Sequence, residues 1–463
     1  MPTEPTQQIS KQGIRTSLKA STLDGIFSTI YSSITGGVLL TNFLLELDAT
    51  PTEIGLLSSI PMLVNLVQPL GAYFADRATS RRLYGLWIFA PARLLWLILV
   101  LGIGWLSWST TDPHRLAVWT LGMLFATSIL AALGIASWLS WMAALVPHRL
   151  RGRYFGLRNS AASLTTLIGV PLLGFAVSAW PGGTIQGYNV VLFLGVVAGL
   201  MSLGCQLFMV DVNPQLPIAS ALSKSRTGSK AAKEESREAG RAGEVSFVGI
   251  FKDSNFLTFL LYFGLWMFAV NLSAPFFNLY LLDNLGLNLG WATLYTSLAA
   301  GANLVMLVLW GKLADRLGNR PLLLLVGILV AVTPLFWLGA GNERVSLWVW
   351  LPLIHILSGG TLAAIDLCNN NIQMEVARSE NASSYFAIAA AVAGVCGALG
   401  TTAGGFLAQL AYVGGLPGLF ALSTVVRLVA LLPLVFVREP RSQPVVQVLR
   451  LLGFKSRLVP QQP

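Results

Sequence analysis

Three observations predict an all-α membrane protein of twelve transmembrane helices arranged as two six-helix repeats. The first is composition: 54% of the 463 residues are hydrophobic, 11% are charged and mean hydropathy is +0.68, whereas a soluble globule carries about 25% charged residues. Most of the surface therefore faces lipid. The second is a set of twelve mainly apolar stretches, each near the roughly 20 residues that a helix needs to cross a bilayer. The third is a repeat: AYFADRATSRR from Ala72 to Arg82 and GKLADRLGNR from Gly311 to Arg320 each follow one apolar stretch and precede another, in corresponding positions of the two halves. Such duplication is typical of membrane proteins. The apolar runs are continuous and studded with Gly and Ser, which suits helices packing closely in lipid and not barrel strands, whose polarity would alternate.

Residues 1–21 are polar and read as a cytoplasmic N-terminal segment; the apolar stretch after them is too long for a signal-peptide core and is expected to be a retained span. Residues 22–211 form the first bundle, with spans at about 22–47, 53–75, 83–108, 116–146, 157–180 and 188–210. Residues 212–255, rich in Ser, Ala, Lys, Arg and Glu, form a cytoplasmic linker with a short surface helix near Lys233 to Arg241. Residues 256–438 form the second bundle, with spans at about 256–282, 290–314, 321–340, 345–376, 384–411 and 415–437. In the cytoplasmic tail, residues 439–463, apolar residues alternate with Arg450, Lys455 and Arg457, which suits a helix on the inner leaflet or a frayed end.

Basic residues set the orientation. With the N-terminus in the cytoplasm, 26 of the 30 Lys and Arg fall on that side; only Arg115 and Arg344 fall on the other, and Arg93 and Arg427 lie inside spans. This is a strong positive-inside bias. It places both termini in the cytoplasm, in a cell (inner) membrane, and accounts for the net charge of +10. Anionic lipid headgroups, not nucleic acid, are the expected partner of these loops. Cys205, Cys368 and Cys396 fall within predicted spans with no pairing pattern, and the sequence offers no metal site, cofactor site or phosphate-binding loop.

The spacing Gly311-x-x-x-Asp315-Arg316-x-Gly318-x-Arg320 resembles the loop signature of the major facilitator superfamily of transporters, where it joins the second and third helices of each half. In the first copy the glycine stands one place early at Gly71, Thr79 takes the second glycine position and Ser80 spaces out Arg81 and Arg82; the Asp76-Arg77 charges are kept. Weaker echoes accompany it. Tyr154-Phe155 and Tyr385-Phe386 open the fifth and eleventh spans, and Leu94-Leu95-Trp96 in the third matches Leu335-Phe336-Trp337 in the ninth. The basic turn holding Arg149, Arg151, Arg153 and Arg158 is similar to the family's loop between helices 4 and 5. Gly169-Val-Pro171-Leu-Leu-Gly174 resembles the pattern of its proton-coupled exporters, or else serves close packing alone. The resemblance implies the family's two-bundle fold, a cavity lined by helices 1, 4, 7 and 10, and a conformational gating role for Asp76, Arg77, Arg81, Arg82, Gly311, Asp315, Arg316 and Arg320.

Chemistry has to come from polar groups inside the spans, because a charge at bilayer depth costs at least about 2.5–3.5 kcal/mol on insertion scales. Arg93, Asp366 and Arg427 stand eleven or twelve residues from the nearest inner-side Arg, on the order of 16–18 Å at 1.5 Å per residue and so near the midplane. Asp24 sits nearer the cytoplasmic edge and can snorkel. In the tenth span His355, Gly359, Asp366, Asn370 and Gln373 share one helical face; in the first, Asp24, Ser28, Tyr31, Thr35 and Asn42 do the same. The second span adds Asn65 and Gln68, the seventh Asn271 and Asn278, and the fourth an aromatic wall at Trp138 and Trp141. Each has a plainer reading as interhelical hydrogen bonding or packing.

Asp366 is the foremost functional candidate, as a carrier of a proton or a contact for substrate. Arg427 needs a counter-charge and Asp366 is the mid-span carboxylate of its half, so the two are expected to form a switchable pair, with Arg93 similarly neutralised by a carboxylate. The expected function is secondary active transport of a small organic solute by alternating access, coupled to protons. The rival is a non-transporting assembly or sensing protein on the same fold. An enzyme is not expected, since no cluster has catalytic spacing.

Overall fold

The computed structural model describes residues 11–106, 113–146, 151–211, 253–376, 382–410 and 414–439. The expected helices in the linker and tail lie outside the described residues, as do the side chains of Asp76 and Asp315. Among the described residues there are no strands and twelve helices long and apolar enough to cross a membrane. We number them α1 (Lys11–Leu45), α2 (Pro51–Arg77), α3 (Arg81–Leu106), α4 (Pro113–Leu145), α5 (Arg151–Ser178), α6 (Thr184–Leu207), α7 (Ser254–Asn284), α8 (Leu289–Leu317), α9 (Asn319–Phe336), α10 (Ser346–Val376), α11 (Ala382–Gln409) and α12 (Gly415–Phe436).

The chain divides into two compact units, Met1–Glu244 with Leu287–Ser297, and Val245–Gly286 with Leu298–Pro463. Five helix pairings of the first unit recur in the second. In the first, α1 packs on α5 and α6, α3 packs on α4 and α6, and α5 packs on α6; in the second, α7 packs on α11 and α12, α9 on α10 and α12, and α11 on α12. The echoes in the sequence have physical counterparts here. Trp96 of α3 and Trp337 at the end of α9 are both buried. Tyr154 of α5 packs with Ala20 of α1, and Tyr385 of α11 stands edge-on to Phe256 of α7 at 4.4 Å.

Only α1 starts far from its expected place, reaching back to Lys11. The added turns carry Ser17 and Ser21, both fully buried. The Ser17 hydroxyl accepts from the Val210 backbone N–H at 2.9 Å, and Ser21 donates to the Met142 sulfur at 3.5 Å. A count of apolar residues passes over a helix whose polar side chains are covered by its neighbours.

Several spans are broken, and the breaks have local causes. α2 tightens to a 3₁₀ turn at Asn65–Val67, just ahead of Pro69. α1 is interrupted between Ile34 and Gly37, and α7 between Asn271 and Ala274 ahead of Pro275. Carbonyls left without helical donors at breaks of this kind need other partners. α6 and α12 supply them: the Tyr188 hydroxyl donates to the Ile34 carbonyl at 2.9 Å, and the Ser423 hydroxyl to the Ala269 carbonyl at 3.0 Å.

Candidate functional site

Away from the span ends, the described Asp, Glu, Lys, Arg and His side chains are five: Asp24, Arg93, His355, Asp366 and Arg427. In the first unit Asp24 does not snorkel. It is 2% exposed, accepting hydrogen bonds from Ser202 at 2.5 Å and Gln206 at 3.0 Å, with Arg158 of α5 at 3.7 Å. The Arg158 guanidinium lies 4.5 Å from the Trp138 ring centre, and its Nε donates to the Ser21 carbonyl at 3.3 Å. One cluster thus ties α1, α4, α5 and α6 together. Arg93 of α3, 6% exposed, donates to the Gly199 carbonyl of α6 and faces the Tyr31 ring of α1 at 5.5 Å.

In the second unit Arg427 and Asp366 are not paired. Arg427, 3% exposed, donates to the Val330 carbonyl at 2.8 Å, the Val270 carbonyl at 3.2 Å and the Ser273 hydroxyl at 2.9 Å. The residue four places beyond Val330 is Pro334, inside α9 and without an N–H. Val270 borders the break in α7, where its carbonyl meets the Leu272 N–H of the same turn and the Ser273 N–H at 3.4 Å. Arg427 therefore satisfies carbonyls that the helix interruptions leave short of donors, and that demand, not a carboxylate, explains its burial. Asp366 is exposed and makes no hydrogen bond or ion pair among the described residues.

The expected polar face of α10 splits in two. Its N-terminal part is buried: His355 Nδ1 bonds the Leu351 carbonyl at 2.8 Å and its ring stands 5.3 Å from that of Trp337. Gly359 is in such close backbone contact with Ala299 of α8 that an added Cβ would lie 1.9 Å from the Ala299 oxygen. Its C-terminal part, Asp366 and Asn370 with half-buried Gln373, is open. The three consecutive asparagines diverge accordingly. Asn369 accepts from the Tyr262 hydroxyl of α7 at 3.1 Å, and Asn371 donates to the Asn319 side chain at 2.8 Å. Asn370 is left on the exposed face with Asp366.

The other expected positions are scattered. Asn42 is buried; Asn271 is buried and bonds the Met267 carbonyl at 2.8 Å; Asn278 is half-buried; exposed Asn65 accepts from Gln68 at 2.9 Å. Tyr31 is half-buried beside Arg93. Half-buried Asn303 of α8, which the sequence reading did not single out, has no hydrogen-bond partner among the described residues. A cavity of about 450 Å³ on α7 and α11, lined by residues including Leu260, Gly264, Phe268, Val392 and Cys396, is almost wholly apolar.

Beside the duplicated turns lies a second repeat. Asp211, just beyond α6, accepts from the Ser80 hydroxyl and, at 3.3 Å, from the Arg82 backbone N–H, at the start of α3. Glu439, just beyond α12, accepts from the Asn319 and Arg320 backbone N–H groups at 2.9 and 2.8 Å, at the start of α9. Arg82 reaches the Leu207 carbonyl at 3.2 Å, and Arg320 reaches the Val435 carbonyl. A carboxylate thus sits on the positive end of each helix dipole. Sequence reading passed over both acids, although each follows the last apolar residues of the sixth span of its half. The turns themselves differ: Ala78–Ser80 in the first, and in the second Gly318 alone, at φ +90, where a side chain would be strained. Arg81 is buried; Arg77 is exposed and lies over the Tyr73 ring at 3.5 Å; Arg316 is exposed.

Among curated proteins, the chain is 26% identical over 185 residues to the multi-drug resistance efflux pump PmrA of Streptococcus pneumoniae, a match spanning 39% of this chain and 43% of the pump. Solved structures similar to it include a D-xylose-proton symporter, with TM-score 0.66 and 17% identity over 93% of this chain and 99% of the symporter. The nucleoside transporter NupG has TM-score 0.63 and 13% identity over 92% and 98% of the two chains. The family model described as Major Facilitator Superfamily matches residues 25–401 and 302–456. The chain, an integral multi-pass membrane protein, belongs to the Major Facilitator Superfamily.

Proposed function

We infer that this protein moves a small organic solute across a cell (inner) membrane by alternating access, with protons supplying the drive. The observation that carries this reading is Asp366: an exposed carboxylate within a span of a chain of the transporter superfamily, without a hydrogen-bond or ion-pair partner among the described residues, where the other deep charges described are all engaged. A charge kept at that depth without a structural partner calls for a functional reason. The fold shared with a proton symporter supports the choice of driving ion, and the efflux-pump relative supports export as the direction. Both termini are cytoplasmic, and the basic loops face anionic headgroups.

Asp366 receives the proton or the cargo, and the duplicated turns at Asp76-Arg77 and Asp315-Arg316 gate the change of access. The test is a screen of labelled organic solutes in proteoliposomes with and without an imposed pH gradient. At least one solute should move faster with the gradient than in its absence, and faster than in empty liposomes. Failure of the whole panel to exceed empty liposomes would favour the non-transporting assembly or sensing protein.

A further inference from the structure

We propose that the cargo is an organic cation with an apolar body, received by the Asp366 carboxylate. This rests on the transport reading above and narrows it to a substrate class. Deep ionisable groups of this protein are either consumed by the fold or available to a ligand, and the available charge is negative. Arg93 is bound to the Gly199 carbonyl and the Tyr31 ring, and Arg427 to two carbonyls and Ser273. His355 is bonded to the Leu351 carbonyl, and Asp24 is enclosed by Ser202, Gln206 and Arg158. An anionic cargo would find no free cation at this depth among the described residues, and would meet Asp366 as a like charge.

Neighbours on the same face define the rest of the ligand. Leu362 lies one turn to the outer side of Asp366, with Asn370 one turn and Met374 two turns to the inner side, all four exposed. Methionine and leucine present adaptable apolar surface, and Asn370 adds a hydrogen-bonding amide. One carboxylate flanked by apolar side chains is a poor cage for a hard metal ion, which takes six or more oxygen ligands. It suits a single positive charge carried on a hydrophobic frame.

Two probes of one shape and opposite charge test the proposal: tetraphenylphosphonium and tetraphenylborate, with ethidium as a second cation. Binding is measured on the full-length purified protein, and flux in proteoliposomes. At least one cation should bind and move, with tetraphenylborate weaker by roughly tenfold or more, the equivalent of about 1.4 kcal/mol. Asp366→Asn should weaken cation binding by a similar factor, and Asp366→Glu should restore most of it. Melting of Asp366→Asn should match wild type, because the carboxylate has no structural partner to lose among the described residues.

Three results would overturn the proposal: tetraphenylborate binding as tightly as the cations; cation binding unchanged in Asp366→Asn, which would leave that residue at most a proton site; or no cation binding while neutral or anionic solutes show gradient-driven flux. In the last case the transport reading survives. If no solute of any charge moves, the transport reading itself falls.

Discussion

Arg427 is a buried cation whose partners are neutral. An isolated guanidinium in the core of a helix bundle is expensive, and what offsets it is the cost of the alternative, since each buried carbonyl left without a donor costs about 1–3 kcal/mol. Arg427→Leu should therefore destabilise the protein by about 2–4 kcal/mol, measured by thermal or detergent unfolding. Pro334 supplies a sharper check, because Pro334→Ala returns an N–H to the helix where the Val330 carbonyl can use it. In the Arg427→Leu background it should recover on the order of 1 kcal/mol; no recovery would mean that carbonyl repair is not what Arg427 does. Asp24→Asn should cost about 1–3 kcal/mol through the loss of the Arg158 contact. The sequence made Arg427 conspicuous and pointed to Asp366, which it does not contact in this structure. Its demand comes from backbone groups, which a count of side-chain charges does not include, and from a proline on another helix.

The elements most legible in advance were the spans, because length and hydropathy are local properties and lipid enforces both. Breaks within them were less legible, since a proline marks where a helix can yield and not which side chain will cover the exposed carbonyls. The inner-end carboxylates show the same limit: Asp211 and Glu439 are ordinary loop acids until α3 and α9 present their N-termini to them. Glu439 accepts from two backbone N–H groups and Asp211 from one at longer range. Glu439→Ala should therefore be the costlier change, within the roughly 0.5–2 kcal/mol of an N-terminal cap; equal unfolding profiles would contradict this. For the duplicated turns, Asp76→Asn and Asp315→Asn should lower maximal flux while expression and substrate affinity stay near wild type. Unchanged flux in both would reduce the motif to a topology signal.

For the molecule as a whole, the helix pairings of one unit recur in the other, and the charge bias of the loops is a separate signal that bears on orientation. The proposed topology puts residue 225 in the cytoplasm, so Ser225→Cys should resist an impermeant thiol reagent added outside intact cells; labelling from outside would invert the topology. Which polar residues share a site was legible only in part. The polar face of α10 follows from helical spacing, yet its N-terminal half is buried against α8 and the Trp337 ring, a tertiary fact that no spacing contains. The central claim is a division of labour, with Arg427 holding the fold and Asp366 left free for cargo or proton. A double-mutant cycle of Asp366→Asn and Arg427→Leu, read by melting and by gradient-driven flux, tests it most directly. The account predicts that Asp366→Asn abolishes flux with wild-type melting, that Arg427→Leu lowers melting, and that the two stability effects add within about 0.5 kcal/mol. Melting lowered as much by Asp366→Asn as by Arg427→Leu, with the double variant no worse than either, would show the two charges to be partners and contradict it.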